Sequence, residues 1–341
     1  MAGDLPRTMR AAVLHGPRDL RLEERPVPAP GAGEVLVRIG IVGVCGSDLH
    51  FYEEGRSGSS IVDAPFIPGH EFGGVIAAVG GGVYRAVGER VSVEPGIACG
   101  GCAACCRGHG NHCERVHFFG AAPVDGALQE YLVVPSHVAH MVPANVSDEA
   151  AALAEPLSVA IWATRRAALE AGQSALIVGA GTIGYLTAII ARQAGADVTV
   201  VEPHAGRRGR AGQIPGVRAV GVDDLTAGGD GFTVVVECSG TKPGLAAAID
   251  HVEESGRIVV VGIGVERLDI DMNLVQEREV TITGSHRYRN TWPEAIALLA
   301  GPLQGLDRIV ERILPLEETA SAITVARTDP TALKTAIRVS S

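Results

Sequence analysis

The fold is decided by a glycine-rich stretch near the middle of the chain, Ala175-Leu-Ile-Val-Gly179-Ala-Gly181-Thr-Ile-Gly184. Its first four residues are apolar and predict a buried strand, and residues 185–193 have helical spacing. The three glycines permit a tight turn between this strand and this helix. Because such a turn lets the backbone and the helix N-terminus approach a pyrophosphate, the stretch predicts a dinucleotide-binding unit.

An acidic residue follows at the distance that such a unit requires. Glu202 ends a second apolar run, 198–201, about 20 residues beyond the glycines. A carboxylate there accepts hydrogen bonds from the adenosine ribose and repels a 2′-phosphate, which favours NAD over NADP. Arg207, Arg208 and Arg210 leave NADP open, since guanidinium groups suit phosphate. The alternative for the whole motif is a tight turn whose glycines serve packing only.

The alternation of strand and helix continues downstream. Apolar runs at 233–237, 257–261 and 280–283 predict strands, and residues 243–254 predict a helix with Pro243 in its first turn. Alternating strands and helices favour a parallel, doubly wound sheet.

The first 150 residues have a different pattern of apolar and polar residues. Short alternating runs at 9–14, 34–39, 75–79 and 90–93 are separated by glycine and proline. This pattern is typical of a partly open β-barrel rather than of strand–helix–strand units.

Length and composition limit the class of protein. The chain has 341 residues, enough for two domains, with 46% hydrophobic and 20% charged residues. A net charge of −10 argues against a nucleic-acid partner, which needs a basic surface. The sequence contains neither an apolar stretch long enough for a membrane span nor a secretory signal, so we expect no membrane partner and a cytoplasmic protein.

Five of the seven cysteines fall within 15 residues. Cys99, Cys102, Cys105 and Cys113 let one loop surround a tetrahedral ion, and four thiolates leave no open position for chemistry. We therefore predict a structural zinc, with an iron–sulfur cluster or a redox-active pair as alternatives. Cys106 is a spare thiol, because Cys105 preserves the two-residue spacing.

A second set of potential ligands is dispersed. Cys45 follows a predicted strand, and His70 and Glu71 follow two prolines. A cysteine, a histidine and a carboxylate, with space for water, are typical of catalytic rather than structural zinc. Taken singly, each of these residues is more often an ordinary packed residue.

Several runs of the sequence together indicate a family: Cys45-Gly-Ser-Asp-Leu-His50, Pro68-Gly-His-Glu71, the four-cysteine loop, Glu155-Pro-Leu-Ser-Val159, the glycine motif and Arg287-Tyr-Arg-Asn-Thr-Trp-Pro293. They resemble the zinc-dependent medium-chain dehydrogenases of the alcohol dehydrogenase type, and within them the polyol branch of sorbitol, xylitol and L-idonate dehydrogenases. The resemblance covers nearly the whole chain, and the last run is similar to the polyol branch in particular.

The resemblance implies an α/β fold of two domains. A GroES-like β-barrel catalytic domain would span 1–153 and 290–341, and a Rossmann cofactor domain with a doubly wound parallel sheet would span 154–289. It implies an enzyme that passes hydride from a secondary alcohol of a small polyol or sugar acid to NAD, with two zinc ions per chain. It also implies a homodimer or homotetramer, and the apolar residues 280–283 fit either an edge strand for assembly or an internal strand.

The resemblance further implies a set of site residues. Cys45, His70 and Glu71 would hold the catalytic zinc, and Glu155 would act near it as substrate contact, proton acceptor or alternate ligand. Ser47 and His50 would carry the proton to solvent. The implied cofactor residues are Gly179, Gly181, Ile183, Gly184, Glu202, Arg207, Gly262, Gly264 and Arg287, and the implied substrate residues are Phe51, Glu155, Arg287 and Tyr288.

Three residues depart from the pattern of the branch. Phe51 stands where a substrate-binding tyrosine is frequent, and His286 and Trp162 stand where phenylalanine and histidine are more usual. Membership of the branch therefore does not fix the substrate, and two other functions also stay open. One is a threonine-type amino-alcohol dehydrogenase on the same fold, and the other is a non-catalytic NAD(H)-binding sensor.

Overall fold

The computed structural model describes residues 5–225, 231–264, 267–303, 305–329 and 331–340. By their contacts the residues form two compact units, Met1–Glu155 with Trp292–Ser341, and Pro156–Thr291. Among the described residues, no helix is both long and apolar enough to cross a membrane.

The strands of the described residues are β1 (Thr8–Gly16), β2 (Asp19–Pro26), β3 (Glu34–Gly43), β4 (Arg56–Ser57), β5 (Ser60–Ile61), β6 (Glu71–Val79), β7 (Arg90–Val93), β8 (Gly96–Ile97), β9 (His117–Phe118), β10 (Tyr131–Pro135), β11 (Ala139–Met141), β12 (Ser174–Val178), β13 (Asp197–Val201), β14 (Val217–Val220), β15 (Phe232–Glu237), β16 (Val252–Val260), β17 (Thr281–Gly284), β18 (Val310–Pro315) and β19 (Lys334–Arg338). The helices are α1 (Gly46–Glu54), α2 (Ala103–Cys106), α3 (Asp148–Ala152), α4 (Ala154–Ala167), α5 (Thr182–Gln193), α6 (Ala205–Ala211), α7 (Lys242–His251), α8 (Met272–Glu277), α9 (Trp292–Ala300) and α10 (Thr319–Thr328).

The first unit is built on a seven-stranded sheet. Its strands lie in the order β11-β7-β6-β3-β19-β18, and β10 also pairs with β3. Alternating apolar residues of β3 and β6, among them Val37, Phe72 and Ile76, are buried in one apolar core. The sheet thus brings the end of β3, the start of β6 and the C-terminal strand β19 together.

The second unit is a six-stranded parallel sheet in the order β14-β13-β12-β15-β16-β17. Strand β12 is apolar and its residues 175–178 are buried, as expected for a central parallel strand. Helix α5 begins directly after the glycine turn, with Gly181 as its N-cap. The sheet confirms the predicted doubly wound cofactor domain.

One sequence prediction is wrong at its boundary. The helix expected over 243–254 ends at His251, and the next residue begins strand β16. Val252 is fully buried and pairs with Phe232 of β15, so packing against the sheet overrides the local helical pattern.

Candidate active site

Three potential metal ligands meet where β3 ends and β6 begins. The ligand atoms of Cys45, His70 and Glu71 all lie within 4.8 Å of one another. The two strands are antiparallel neighbours, with Gly43 opposite Glu71. Sheet pairing therefore juxtaposes residues that the sequence separates.

The turn before β6 depends on a glycine. Gly69 has a φ of 94°, and a Cβ there would lie 2.9 Å from side-chain atoms of Leu128 and Val42. A larger residue would move His70, which is itself 6% exposed. The backbone conformation of the Pro-Gly-His-Glu run therefore orients the side chains of His70 and Glu71.

Asp48 supports two of the ligands, and the sequence analysis did not assign it this role. Its Oδ2 accepts a hydrogen bond of 2.8 Å from the backbone N–H of Cys45, and its Oδ1 lies 3.7 Å from Nδ1 of His70. Asp48 is 2% exposed, and burial raises its pKa. At 3.7 Å the contact between Asp48 and His70 is electrostatic rather than a hydrogen bond, and it leaves Nε2 of His70 for a metal. The Cys-x-x-Asp spacing at the start of α1 was the available signal.

Lys334 is a second residue that the sequence analysis missed. Its Nζ donates a hydrogen bond of 2.8 Å to the carbonyl of Val44 and forms an ion pair with Oε2 of Glu71. Both charged side chains are 2% exposed. Nothing in the local sequence signals this contact, because β19 reaches β3 only through the sheet.

Glu155, Ser47 and His50, which are predicted to move the proton, differ in their exposure to solvent. Glu155 is 6% exposed at the start of α4, and burial raises its pKa to about 7 against the opposing charge of His70. Ser47 is half-buried, whereas the imidazole of His50 is 37% exposed and its Nδ1 lies 2.9 Å from Oε1 of Glu54.

The four-cysteine loop forms a compact cluster of thiols. The Sγ atom of Cys102 lies 3.4 Å from that of Cys105 and 3.9 Å from that of Cys113, and the Sγ atoms of Cys99 and Cys105 are 4.0 Å apart. Tetrahedral zinc with Zn–S bonds of about 2.3 Å places sulfurs about 3.8 Å apart, which fits. Cys106 is exposed and lies outside the group.

The surroundings of Cys99 favour its thiolate form, whereas burial and the neighbouring thiols raise the pKa of Cys105 to about 12. Backbone N–H groups beginning with that of Gly101, and the Cys113 thiol, lower the pKa of Cys99 to about 6. Arg115 adds a cation, since its Nη2 lies 3.5 Å from Sγ of Cys99. Thiolate is the form that binds metal.

Both donor sets fit zinc. The open set offers one thiol, one imidazole and one carboxylate, and the buried Oδ1 of Asp48 behind it has no hydrogen-bond partner among the described residues. Three protein ligands leave a fourth position for water or substrate, whereas four thiols close the other site.

The glycine turn of the second unit is shaped for a nucleotide. Gly179 has a φ of 93° and packs against Ser239, where a Cβ would approach to 3.1 Å. A Cβ on Gly181 would meet no atom within 4 Å, so the N-terminus of α5 faces open space. Gly184 and the half-buried Ile183 lie in the first turn of this helix. Backbone N–H groups there are available to a phosphate.

Glu202, the predicted ligand of the adenosine ribose, lies beside the nucleotide cradle, which is formed by Gly179, Gly181 and the first turn of α5. Its Oε2 accepts a hydrogen bond of 2.8 Å from the N–H of Ala180, and its Oε1 accepts one of 2.8 Å from the N–H of His204. Arg208 donates to the carbonyls of Glu202 and Pro203, which explains it as a structural residue. Arg207 differs, since its Nε has no hydrogen-bond partner among the described residues.

On the other side of the nucleotide cradle, the loops that follow β15 and β16 approach each other closely. The fully buried carboxylate of Glu237 accepts hydrogen bonds from the N–H groups of Ser239 and Gly240. Gly262 packs against Gly240, and so does Gly264, where a Cβ would lie 2.8 Å from the Gly240 carbonyl. These glycines keep the loop ends of β15 and β16 together.

The predicted substrate residues have contrasting surroundings. Arg287 is half-buried with a φ of 51°, His286 is exposed, and Tyr288 is buried. The guanidinium group of Arg289 lies over the ring of Trp162, 4.6 Å from the ring centroid. Phe51 packs edge-on against Phe66 at 5.3 Å within an apolar cluster.

The chain is similar along almost its whole length to proteins of known activity. Sorbitol dehydrogenase of Bacillus subtilis (strain 168) is 36% identical over 334 residues, 95% of each chain. L-idonate 5-dehydrogenase of Escherichia coli K-12 matches in structure with a TM-score of 0.91, at 26% identity over 97% of this chain and 98% of that one. An alcohol dehydrogenase of Escherichia coli CFT073, whose structure was solved with NADH, matches with a TM-score of 0.90. It is 28% identical, and the match covers 98% of this chain and 100% of that one.

Two family descriptions match the two parts of the fold. Residues 31–144 match the alcohol dehydrogenase GroES-like domain, and residues 182–301 match the zinc-binding dehydrogenase family. Fold and site together define a zinc-dependent, NAD-linked alcohol dehydrogenase. With the sequence relatives above, the chain belongs to the polyol dehydrogenase branch of the medium-chain dehydrogenases. The predicted family, GroES-like fold and cofactors are confirmed, and the threonine-type and sensor alternatives are not favoured.

Proposed function

We propose that this enzyme oxidises a secondary alcohol of a polyol or sugar acid of about four to six carbons, with NAD as the hydride acceptor. The observation that carries the proposal is the open three-ligand set of Cys45, His70 and Glu71. A non-catalytic NAD(H) sensor has no use for a metal site with an open position.

Cys45, His70 and Glu71 would hold the catalytic zinc, and Cys99, Cys102, Cys105 and Cys113 would hold a structural one. Zinc bound at the open set supplies a Lewis acid that lowers the pKa of the alcohol. Asp48 orients His70 and, through the backbone of Cys45, fixes the first turn of α1. Glu155 accepts a proton near neutral pH, and Ser47 and His50 pass it to solvent.

The second unit would supply the cofactor site. The N–H groups at Gly181 and the first turn of α5 bind the pyrophosphate, with Gly179, Gly184 and Ile183 shaping the turn. Glu202 binds the adenosine ribose hydroxyls, and Arg207 lines the same half. In the nicotinamide half, Gly262 and Gly264 admit the cofactor and Arg287 lies near it. NAD is the preferred form, because Glu202 repels a 2′-phosphate.

Arg287 and Tyr288 would contact the outer hydroxyls of the substrate. A guanidinium fork and a phenol suit a ligand with several vicinal hydroxyls better than a simple alcohol. Phe51 replaces one hydroxyl contact by an apolar ring, and its packing in an apolar cluster supports a role as a pocket wall.

Formation of NADH tests this function. Purified protein is given NAD with sorbitol, xylitol, L-idonate, threonine or propan-2-ol, and cofactor absorbance is followed. We expect turnover of a polyol or sugar acid, and its loss in Cys45→Ser. Turnover of threonine alone would support the amino-alcohol alternative, and NAD binding without turnover would support the sensor.

We also propose a cytoplasmic homodimer or homotetramer. Its support is the edge position of β17 in the parallel sheet, where Ile282 is 39% exposed. Such an edge can pair with a second copy. Light scattering tests the assembly.

A further inference from the structure

Lys334 is an unusual residue in this chain. Of the 29 basic residues only two, Lys242 and Lys334, are lysines. Lys242 is exposed at the start of α7, whereas the side chain of Lys334 is 2% exposed. Burying an ammonium group carries a large desolvation cost, so its position calls for a specific partner.

The partner of Lys334 is a proposed zinc ligand. Nζ forms an ion pair with Oε2 of Glu71 and also donates to the carbonyl of Val44, the residue before Cys45. The backbone leaves room for this pair, because a Cβ on Gly43 would lie 3.0 Å from Cε of Lys334 and would overlap Oε2 of Glu71.

The ion pair places the ammonium of Lys334 against the carboxylate of Glu71, and the side chains of both residues are 2% exposed. Glu71 therefore faces one cation from β19 already, and a metal ion bound to Cys45 and His70 would be a second.

We propose that Lys334 competes with zinc for the carboxylate of Glu71, balancing its charge in the metal-free site and setting how tightly the open site binds zinc. The inference rests on the proposed ligand role of Glu71. Zinc binding must weaken the Lys334–Glu71 pair and bring a dication close to an ammonium. Since such coupling is reciprocal, removing the ammonium must favour the metal.

The test is the zinc affinity of the open site, measured by competition with a chromophoric chelator. Protein is first depleted until metal analysis shows that only the four-cysteine loop remains loaded. We expect Lys334→Met to bind zinc at least about tenfold more tightly than the wild type. Its metal-free form should melt at a lower temperature, because Glu71 is then buried without a counter-charge.

Two further variants make the test specific. Lys242→Met is the matched control and should leave zinc affinity unchanged. In a Glu71→Gln background, Lys334→Met should no longer tighten binding, because the shared carboxylate is gone. Lys334→Gln, which keeps a donor for the Val44 carbonyl, should show the same tightening and serves if Lys334→Met does not fold.

Equal or weaker zinc binding by both Lys334 variants would overturn the competition while leaving the zinc site intact. Tightening that persists with Glu71→Gln would also overturn it, since the effect would not pass through Glu71. Failure of the wild type to bind zinc at the open site would instead remove the proposed function and this inference together.

Discussion

At the residue scale, contacts with neighbouring residues, rather than the intrinsic conformational preferences of each residue, fix the positions of the functional side chains. Asp48 contacts two of the proposed zinc ligands, and Glu202 accepts two backbone hydrogen bonds. The family resemblance of short local motifs predicted Cys45, His70 and Glu71 as the zinc ligands. It could not identify Lys334, whose role depends on a contact made across the sheet.

Glu202 should control the choice of cofactor. Glu202→Gln removes the negative charge and keeps an acceptor oxygen for one of the two backbone N–H groups, whereas its amide nitrogen cannot accept from the other. We expect the preference for NAD over NADP, as a ratio of kcat/KM, to fall by about tenfold or more, because like-charge repulsion of the 2′-phosphate is lost. A wild type that already uses NADP better than NAD would refute this view of Glu202.

Glu155 should shape the pH profile. Its pKa is raised to about 7 by burial, so the ionised, proton-accepting form grows as pH rises toward that value. A cation bound nearby favours ionisation of Glu155 and so lowers its pKa from that value. We therefore expect kcat/KM to rise with pH, with a midpoint at or below about 7, and then to level off. Glu155→Gln should lose this limb and about a hundredfold in rate. An unchanged limb in the variant would assign it to another group.

At the element scale, local signals were reliable where one short segment fixes its own geometry. The glycine turn from β12 into α5 and the four-cysteine loop are of this kind. The end of α7 was not predictable, because Val252 joins the sheet through its pairing with Phe232. The pairing of β19 with β3 could not be predicted either, because no local sequence pattern indicates which strand a C-terminal segment joins.

The two metal elements should be separable by mutation. Cys99→Ser removes one ligand of the closed site and should lower the melting temperature by about 5 °C or more, because structural zinc contributes folding energy. The kcat of the surviving folded protein should stay near that of the wild type. Cys45→Ser should abolish turnover with a smaller thermal effect. Calorimetry and kinetics on both variants decide, and metal analysis finding zinc at the open site only would contradict the structural role.

At the scale of the whole molecule, the proposed zinc ligands lie in the first unit and the nucleotide cradle in the second. The parallel arrangement of the second unit's sheet and the short alternating strands of the first unit followed from hydrophobic periodicity, but the order of the strands did not. The substrate did not, because Arg287, Tyr288 and Phe51 fix the kind of polar contact but not the stereochemistry of the polyol.

The central claim is selectivity for a substrate with several hydroxyls, and kcat/KM with NAD tests it most directly. For the best of sorbitol, xylitol and L-idonate, we expect a value at least about a hundredfold above that for propan-2-ol, because unpaired polar groups penalise the simple alcohol. Arg287→Ala should remove most of that gap. A wild type that prefers propan-2-ol or threonine would contradict the polyol assignment and leave the zinc dehydrogenase class intact.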